Sequence, residues 1–572
     1  MIRYSVSVKD AKAHLYEVVL QAVVTPNQPM RCALPAWIPG SYMIREFARH
    51  LRAPAFTCGG RNIPGHKVDK HTWTITPTAP DLHIVYTVYA WDLSVRAAHL
   101  DASHGFFNGS SLFLQLEDQQ NEPCELTISA PKRVDGAWKV ATTLTASRVN
   151  SAGFGTYLAN NYDELIDHPV EMGTFSEARF EVLGTPHRAI FSGQCDVDFD
   201  RFTQDLSKIC AAQIQLFEPK TKRAPFSEYL FMTQVVGDGY GGLEHRSSTA
   251  LICARKDVPF KTMQGTPAGY VQFLGLCSHE YFHSWNVKRI KPAAFKPYDL
   301  RQENYTQLLW LFEGFTSYYD DLILLRSGVI DLPTYLNLLS ATITKVMQES
   351  GRLEQSVAQS SFDSWIKYYR QDENSPNSIV SYYTKGSLIA LCLDLIIRQQ
   401  TNQTRSLDNV MRALWQLPSG LGEDEFSAVV LAATGLDLST EITQWTQTTQ
   451  DLPLQTLLSN AGFDWSQTPE SCADTGMRLA QRNQDLVITV CFEGRPAQNA
   501  GLSAHDVIVA VDGLKVNEAQ FKAYLTRKKV GEIIQIHAFR RDELKVYNVA
   551  IGEPALASIK VSPRSGKARA EG

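Results

Sequence analysis

Three regimes of hydrophobic patterning divide the chain. Up to about residue 165, apolar and polar positions alternate in short runs, at 3–8, 16–24, 71–75 and 83–91. A period of two marks half-buried strands, and runs at this spacing predict an all-β domain. Within it, Pro35, Pro39 and Gly40 of LPAWIPGSYMIREFARHL mark a turn whose aromatic residues could line a ligand surface, with core packing the preferred expectation. After about Asp198 the period lengthens. Residues 268–287, 305–327 and 387–399 carry apolar side chains three and four apart, which predicts helices, and between 332 and 465 little but helix is legible. The pattern then returns to short strands at 477–479, 486–492, 507–511, 533–539 and 544–551, with one helix at 518–528. That predicts a small, separate β-rich domain. The polar, basic end, SPRSGKARAEG, has the composition of a flexible tail.

The helical regime contains the most informative residues, His279, Glu280 and His283 in SHEYFHSWN. Positions i and i+4 share a helix face, so both imidazoles can reach one cation while Glu280 projects beside it toward a metal-bound water. Zinc lowers the pKa of such a water to about 7, and a neighbouring carboxylate can take its proton during attack on a carbonyl. With 14 histidines in 572 residues, chance accounts for roughly 0.02 such motifs. A hydrolytic zinc site of this kind needs a third protein ligand. Glu303 lies in the polar stretch DLRQENYTQ, where a solvated carboxylate needs no partner. Glu313 lies in the apolar run LLWLFEGFTSYY, where an unpaired charge is expensive and a bound cation would offset its burial. Glu313 is therefore the expected third ligand. Asp320 and Asp321 follow by about two turns, where an acceptor for an imidazole N–H and a solvated helix face fit equally well.

Composition narrows the alternatives. A length of 572 residues suggests three or four domains, and 44% hydrophobic with 20% charged residues is ordinary globular usage. A net charge of −5 offers no nucleic-acid surface. No stretch has 18 uncharged apolar residues, so no membrane span is expected. Lys9, Asp10 and Lys12 interrupt any secretory h-region near the start, and ten scattered cysteines lack CxxC pairs. Both point to a cytoplasmic protein with free thiols.

HEYFHSW followed by WLFEGFTSYY resembles the HExxHxW and WxNEGFA motifs of aminopeptidase N and its relatives, zinc peptidases with a glutamate third ligand. The 29 residues between His283 and Glu313, and Phe312 in place of Asn, make the chain more similar to the glycyl aminopeptidase family of the same gluzincin clan. GYGGLEHRSS resembles the GxMEN exopeptidase motif, which implies that Glu244 binds the substrate's free α-amine beside Gly241 and Gly242; Leu243 and His245 depart from Met and Asn. SYYTKGS resembles the YxKG segment whose tyrosine stabilises the oxyanion, which implies Tyr383 in that role, with Tyr382 packing and Lys385 given none. FEGRPAQNAGLSAHDVIVAVDG resembles a bacterial PDZ segment, with a carboxylate loop expected near 475–479.

The expected fold is therefore multidomain α+β. An N-terminal all-β domain (1–165) precedes a thermolysin-like zinc catalytic domain (166–330), an α-helical domain (331–465), a PDZ domain (466–556) and a flexible tail (557–572). The expected activity is hydrolysis of N-terminal residues from peptides with free N-termini. One Zn2+ is held by His279, His283 and Glu313, Glu280 is the base, and the resemblance implies a preference for glycine and alanine. A zinc endopeptidase with PDZ-recruited substrates, and a non-catalytic PDZ interaction protein binding C-termini, are the alternatives.

Overall fold

The computed structural model describes residues 1–132 and 134–564. It has the expected α+β composition and divides into two compact units. The first comprises Met1–Tyr305, Tyr319–Ile330 and Met411–Gly422; the second comprises Thr306–Tyr318, Asp331–Val410 and Glu423–Gly572.

The first unit begins with the all-β domain. Its largest sheet has eight strands, with Ile2–Asp10 between Leu15–Val23, antiparallel, and Cys124–Ile128, parallel. Tyr4, Val6, Tyr16, Val18 and Leu20 point into the core and are almost fully buried. That is the alternation legible in the sequence. The domain runs past the expected boundary at 165: Val170–Gly173 pairs antiparallel with His104–Phe107 and Lys139–Ala141 in a second, four-stranded sheet. The turn at Pro39 and Gly40 is present, with Trp37 and Tyr42 buried beside it.

Next in the same unit is a five-stranded sheet whose order in space is Ser176–Val182, Thr185–Ser192, Tyr229–Val236, Ser248–Ala254 and Tyr240–Glu244. The three middle strands are parallel to one another, and the edge strands Ser176–Val182 and Tyr240–Glu244 are both antiparallel to them. The helical reading of the chain after Asp198 missed the strands between 229 and 254. YLFMTQVV is buried on both faces, so it reads as a continuous apolar run without a period. Helix Phe199–Phe217 is amphipathic and starts with Asp198 accepting from the Arg201 N–H. Helix Ala268–Phe282 is buried on nearly every side and carries His279 and Glu280 in its last turn, with His283 as its C-cap.

The expected single helix over 305–327 is two, Leu309–Phe312 in the second unit and Gly314–Arg326, whose residues from Tyr319 on belong to the first, meeting at Glu313. Helix Thr384–Gln400 packs on them so closely that a Cβ on Gly314 would lie 2.5 Å from the Gly386 Cα. The glycines of the EGF and YTKG segments are thus explained by backbone approach. The C-terminal β domain has strands Met477–Arg482, Asp485–Cys491, Val507–Val511, Ile533–Arg540 and Glu543–Ala550 in that order, with helix Glu518–Leu525. Its core is Leu486, Ile488, Ile508, Phe521, Ile534 and Ile536. Residues 557–563, expected as tail, instead belong to strand Leu556–Pro563, which pairs antiparallel with Phe463–Pro469. Its alternating Ile559 and Val561 are buried, a period-two signal hidden by the basic residues that follow. The remainder of the expected tail, 565–572, lies outside the described residues. Among the described residues no helix is long and apolar enough to cross a membrane, and the ten cysteines are free thiols.

Candidate active site

The HExxH histidines converge. Their rings are perpendicular, with centroids 4.6 Å apart and Nε2 atoms 3.1 Å apart. Each Nδ1 is engaged on its far side. His283 Nδ1 donates to the Asn286 carbonyl at 2.6 Å, and His279 Nδ1 donates to Asp320 Oδ2 at 3.0 Å. A carbonyl can only accept, so His283 carries its proton on Nδ1, and the Asp320 carboxylate fixes the same tautomer on His279. Both Nε2 lone pairs then point at one position, an arrangement that repels unless a cation lies between them. Two nitrogens bound to zinc at 2.0–2.1 Å in a tetrahedron would stand about 3.4 Å apart, close to the separation present. The last turn of a helix also carries partial negative charge, which favours a cation there.

Asp320 is thus the imidazole acceptor that the sequence left open. Burial raises the pKa values of Asp320 and of Asp321, the second also through the charge of the first, while the His279 hydrogen bond works downward on Asp320. Asn286 was not legible, because its contribution is a backbone carbonyl.

Glu280, 5% exposed, Glu244, 4% exposed, and His283 each offer one ligand-type atom within 4.8 Å of the others. Glu244 is the last residue of the edge strand Tyr240–Glu244, and its Oε1 has no hydrogen-bond partner among the described residues. The structure therefore gathers the expected base and the expected amine-binding carboxylate. Gly242 of the same strand lies so close to Glu280 that an added Cβ would overlap its carboxylate. Gly242→Ala is expected to displace that carboxylate and lower kcat/KM by about 10²-fold, since a misplacement of about 1 Å has that effect; steady-state kinetics on a glycyl amide checks it. Gly241 has open space around it apart from Arg96.

Two contacts from the β domain were invisible in the sequence. Arg96 Nη2 donates to the Gly242 carbonyl at 3.0 Å. Gly40, with φ of +100°, sits against Glu244 so that a Cβ would lie 2.5 Å from both carboxylate oxygens. The turn read as core packing therefore also crowds the proposed amine site. Beside Glu244, His245 and Asp167 are buried, and Lys288 Nζ lies 2.7 Å from Asp167 Oδ1. Burial works upward on Asp167, but Lys288 and Arg246 hold it well below the usual carboxylate range.

In the second unit Glu313 is 2% exposed at the junction of the two short helices. Tyr383 begins helix Thr384–Gln400, with its hydroxyl 3.3 Å from that of Tyr369 and its ring stacked on Tyr382 and Tyr368. Burial, then the charge of Glu313, push its hydroxyl well above the ordinary tyrosine pKa, so it is a neutral donor at pH 7. Glu313 and Tyr383 are thereby brought together. Tyr382 is fully buried and its hydroxyl is 3.0 Å from Ser364 Oγ, as expected of a packing residue.

The fold is that of a metallopeptidase. The M1 zinc metallopeptidase from Deinococcus radiodurans superposes with a TM-score of 0.51 at 12% identity, over 79% of this chain and 94% of that one. An aminopeptidase N family protein from Idiomarina loihiensis superposes with a TM-score of 0.95 at 40% identity, over 99% and 98% of the two chains. Family models for the peptidase M61 N-terminal domain match residues 3–174, for the M61 glycyl aminopeptidase 272–389, and for a PDZ domain 473–551. No curated protein sequence matches. The chain belongs to the M61 glycyl aminopeptidase family, among the relatives of aminopeptidase N, and carries a C-terminal PDZ domain. It is a peptidase.

Proposed function

We propose that this peptidase is a zinc aminopeptidase that removes small N-terminal residues, glycine above all and alanine next. The observation that carries the reading is the pair of imidazoles whose Nδ1 atoms are both occupied and whose Nε2 atoms share one position. His279, His283 and Glu313 would hold the metal. Bound there, zinc would supply Lewis acidity, lowering the pKa of water and polarising the scissile carbonyl. Glu280 takes a proton from the attacking water and returns it to the leaving amine. Glu244, buried with an open Oε1, receives the substrate's α-ammonium. Tyr383 donates from a hydroxyl that stays neutral to the oxyanion of the transition state. The edge strand Tyr240–Glu244 offers main-chain groups along which an extended peptide can lie. The approach of Gly40 to Glu244 supports a small first residue. In the PDZ domain the Met477–Arg482 strand is likewise an edge, and a peptide C-terminus is its proposed ligand.

The deciding experiment compares a glycyl amide, its N-acetyl analogue and a longer peptide cleaved internally, with and without chelator. Free-amine substrate alone should be hydrolysed, and only without chelator. Cleavage of the acetylated or internal bond would instead establish the endopeptidase reading. Tyr383→Phe is expected to lower kcat by about 10²–10³ with little change in KM, as loss of an oxyanion donor does. A change confined to KM would place the hydroxyl in substrate binding instead.

A further inference from the structure

A second group of metal-ligating side chains lies in the all-β domain, in the segment His-Leu-Asp-Ala-Ser-His at 99–104. Ala98–Leu100 and His104–Phe107 form a hairpin in which His99 faces Phe106, and Phe106 in turn faces Glu171 of the next strand. Cross-strand partners and i,i+2 neighbours share a sheet face. His99, Asp101, His104 and Glu171 are therefore grouped on one side. There the two imidazoles stack, with centroids 4.7 Å apart and planes 26° apart. His99 Nε2 is 3.3 Å from Asp101 Oδ2, and His104 Nδ1 is 3.7 Å from Asp101 Oδ1. One nitrogen from each ring and one oxygen of Asp101 all fall within 4.8 Å of one another.

The nitrogens that meet Asp101 are His99 Nε2 and His104 Nδ1; the other nitrogen of each ring, His99 Nδ1 and His104 Nε2, is buried on the far side without a hydrogen-bond partner among the described residues. The two rings also line a small cavity with Phe106, Glu171 and Ser192, of about 20 Å³, room for a water but no peptide. Asp101 is set in advance: its Oδ1 accepts from Ser103 N, Ser103 Oγ and His104 N at 2.6, 2.6 and 2.9 Å, which leaves Oδ2 facing the rings.

We propose that His99, Asp101 and His104 bind a second divalent metal ion of the zinc type, separate from the peptidase centre. Two imidazoles and one carboxylate are a zinc donor set, with water completing the shell from the cavity. The cavity excludes substrate, so the ion is structural. It fastens the turn of a hairpin preceded by Arg96, the residue whose Nη2 reaches the Gly242 carbonyl.

The test uses the full-length protein, stripped with a chelator and titrated with Zn2+ by calorimetry and with Co2+ by visible absorption. The parent chain is expected to take up two equivalents, and His104→Gln one, with peptidase activity retained. His283→Ala is expected to keep one equivalent, and the double variant none. The parent should also unfold at a higher temperature than His104→Gln in zinc, and at the same temperature in chelator. A parent chain binding one equivalent, with none left in His283→Ala, overturns the proposal; because His283→Ala leaves this cluster intact, that result stands whether or not His104→Gln folds. Loss of one equivalent in His104→Gln with two kept in His283→Ala would instead overturn the proposed catalytic centre and leave this site standing.

Discussion

Glu280→Gln is expected to lower kcat by about 10²–10⁴ while the protein keeps its metal, measured on a glycyl amide alongside metal analysis. The substitution preserves shape and volume in a site where Glu280 is 5% exposed and Gly242 presses on its carboxylate. What it removes is the ability to accept a proton. The imidazoles keep their own acceptors in Asp320 and the Asn286 carbonyl, so the proposed metal site stays organised. A metal-loaded variant hydrolysing at near-parent rate would remove Glu280 from the role of base.

His283→Ala is the second large effect. It deletes one of two converging donors and leaves the Asn286 carbonyl without its N–H. Measurable hydrolysis is expected to disappear together with the metal at the proposed catalytic centre, and added zinc should not restore it. Asp320→Asn provides the graded comparison: loss of the charged acceptor behind His279 should weaken metal binding by about 10–100-fold, and excess zinc should recover activity. Parent-like hydrolysis by chelator-dialysed His283→Ala would exclude this metal site from the reaction.

The choice between Glu303 and Glu313 shows what patterning can deliver. Glu313 stands in an apolar run, and it is 2% exposed beside the raised hydroxyl of Tyr383. A carboxylate in such a run is legible because burial of an unpaired charge is so unfavourable that it signals a partner. Asp320 was not separable from Asp321 by the same logic, since both lie two turns on and only the direction of His279 distinguishes them. The strands between 229 and 254 escaped for the opposite reason. Two-sided burial erases the period on which strand recognition depends.

Local chemistry written along the chain therefore determined much of this protein. The alternating runs specify a β domain, HExxH places two imidazoles on one helix face, and the motif glycines mark close backbone approach. Tertiary structure alone decided which groups meet from distant segments: Gly40 against Glu244, Arg96 on Gly242, Asp320 behind His279, and His99 stacked on His104. Such contacts depend on register, turn geometry and packing across many residues. Periodicity and spacing report which face of an element is buried, and they carry no information on what it is buried against.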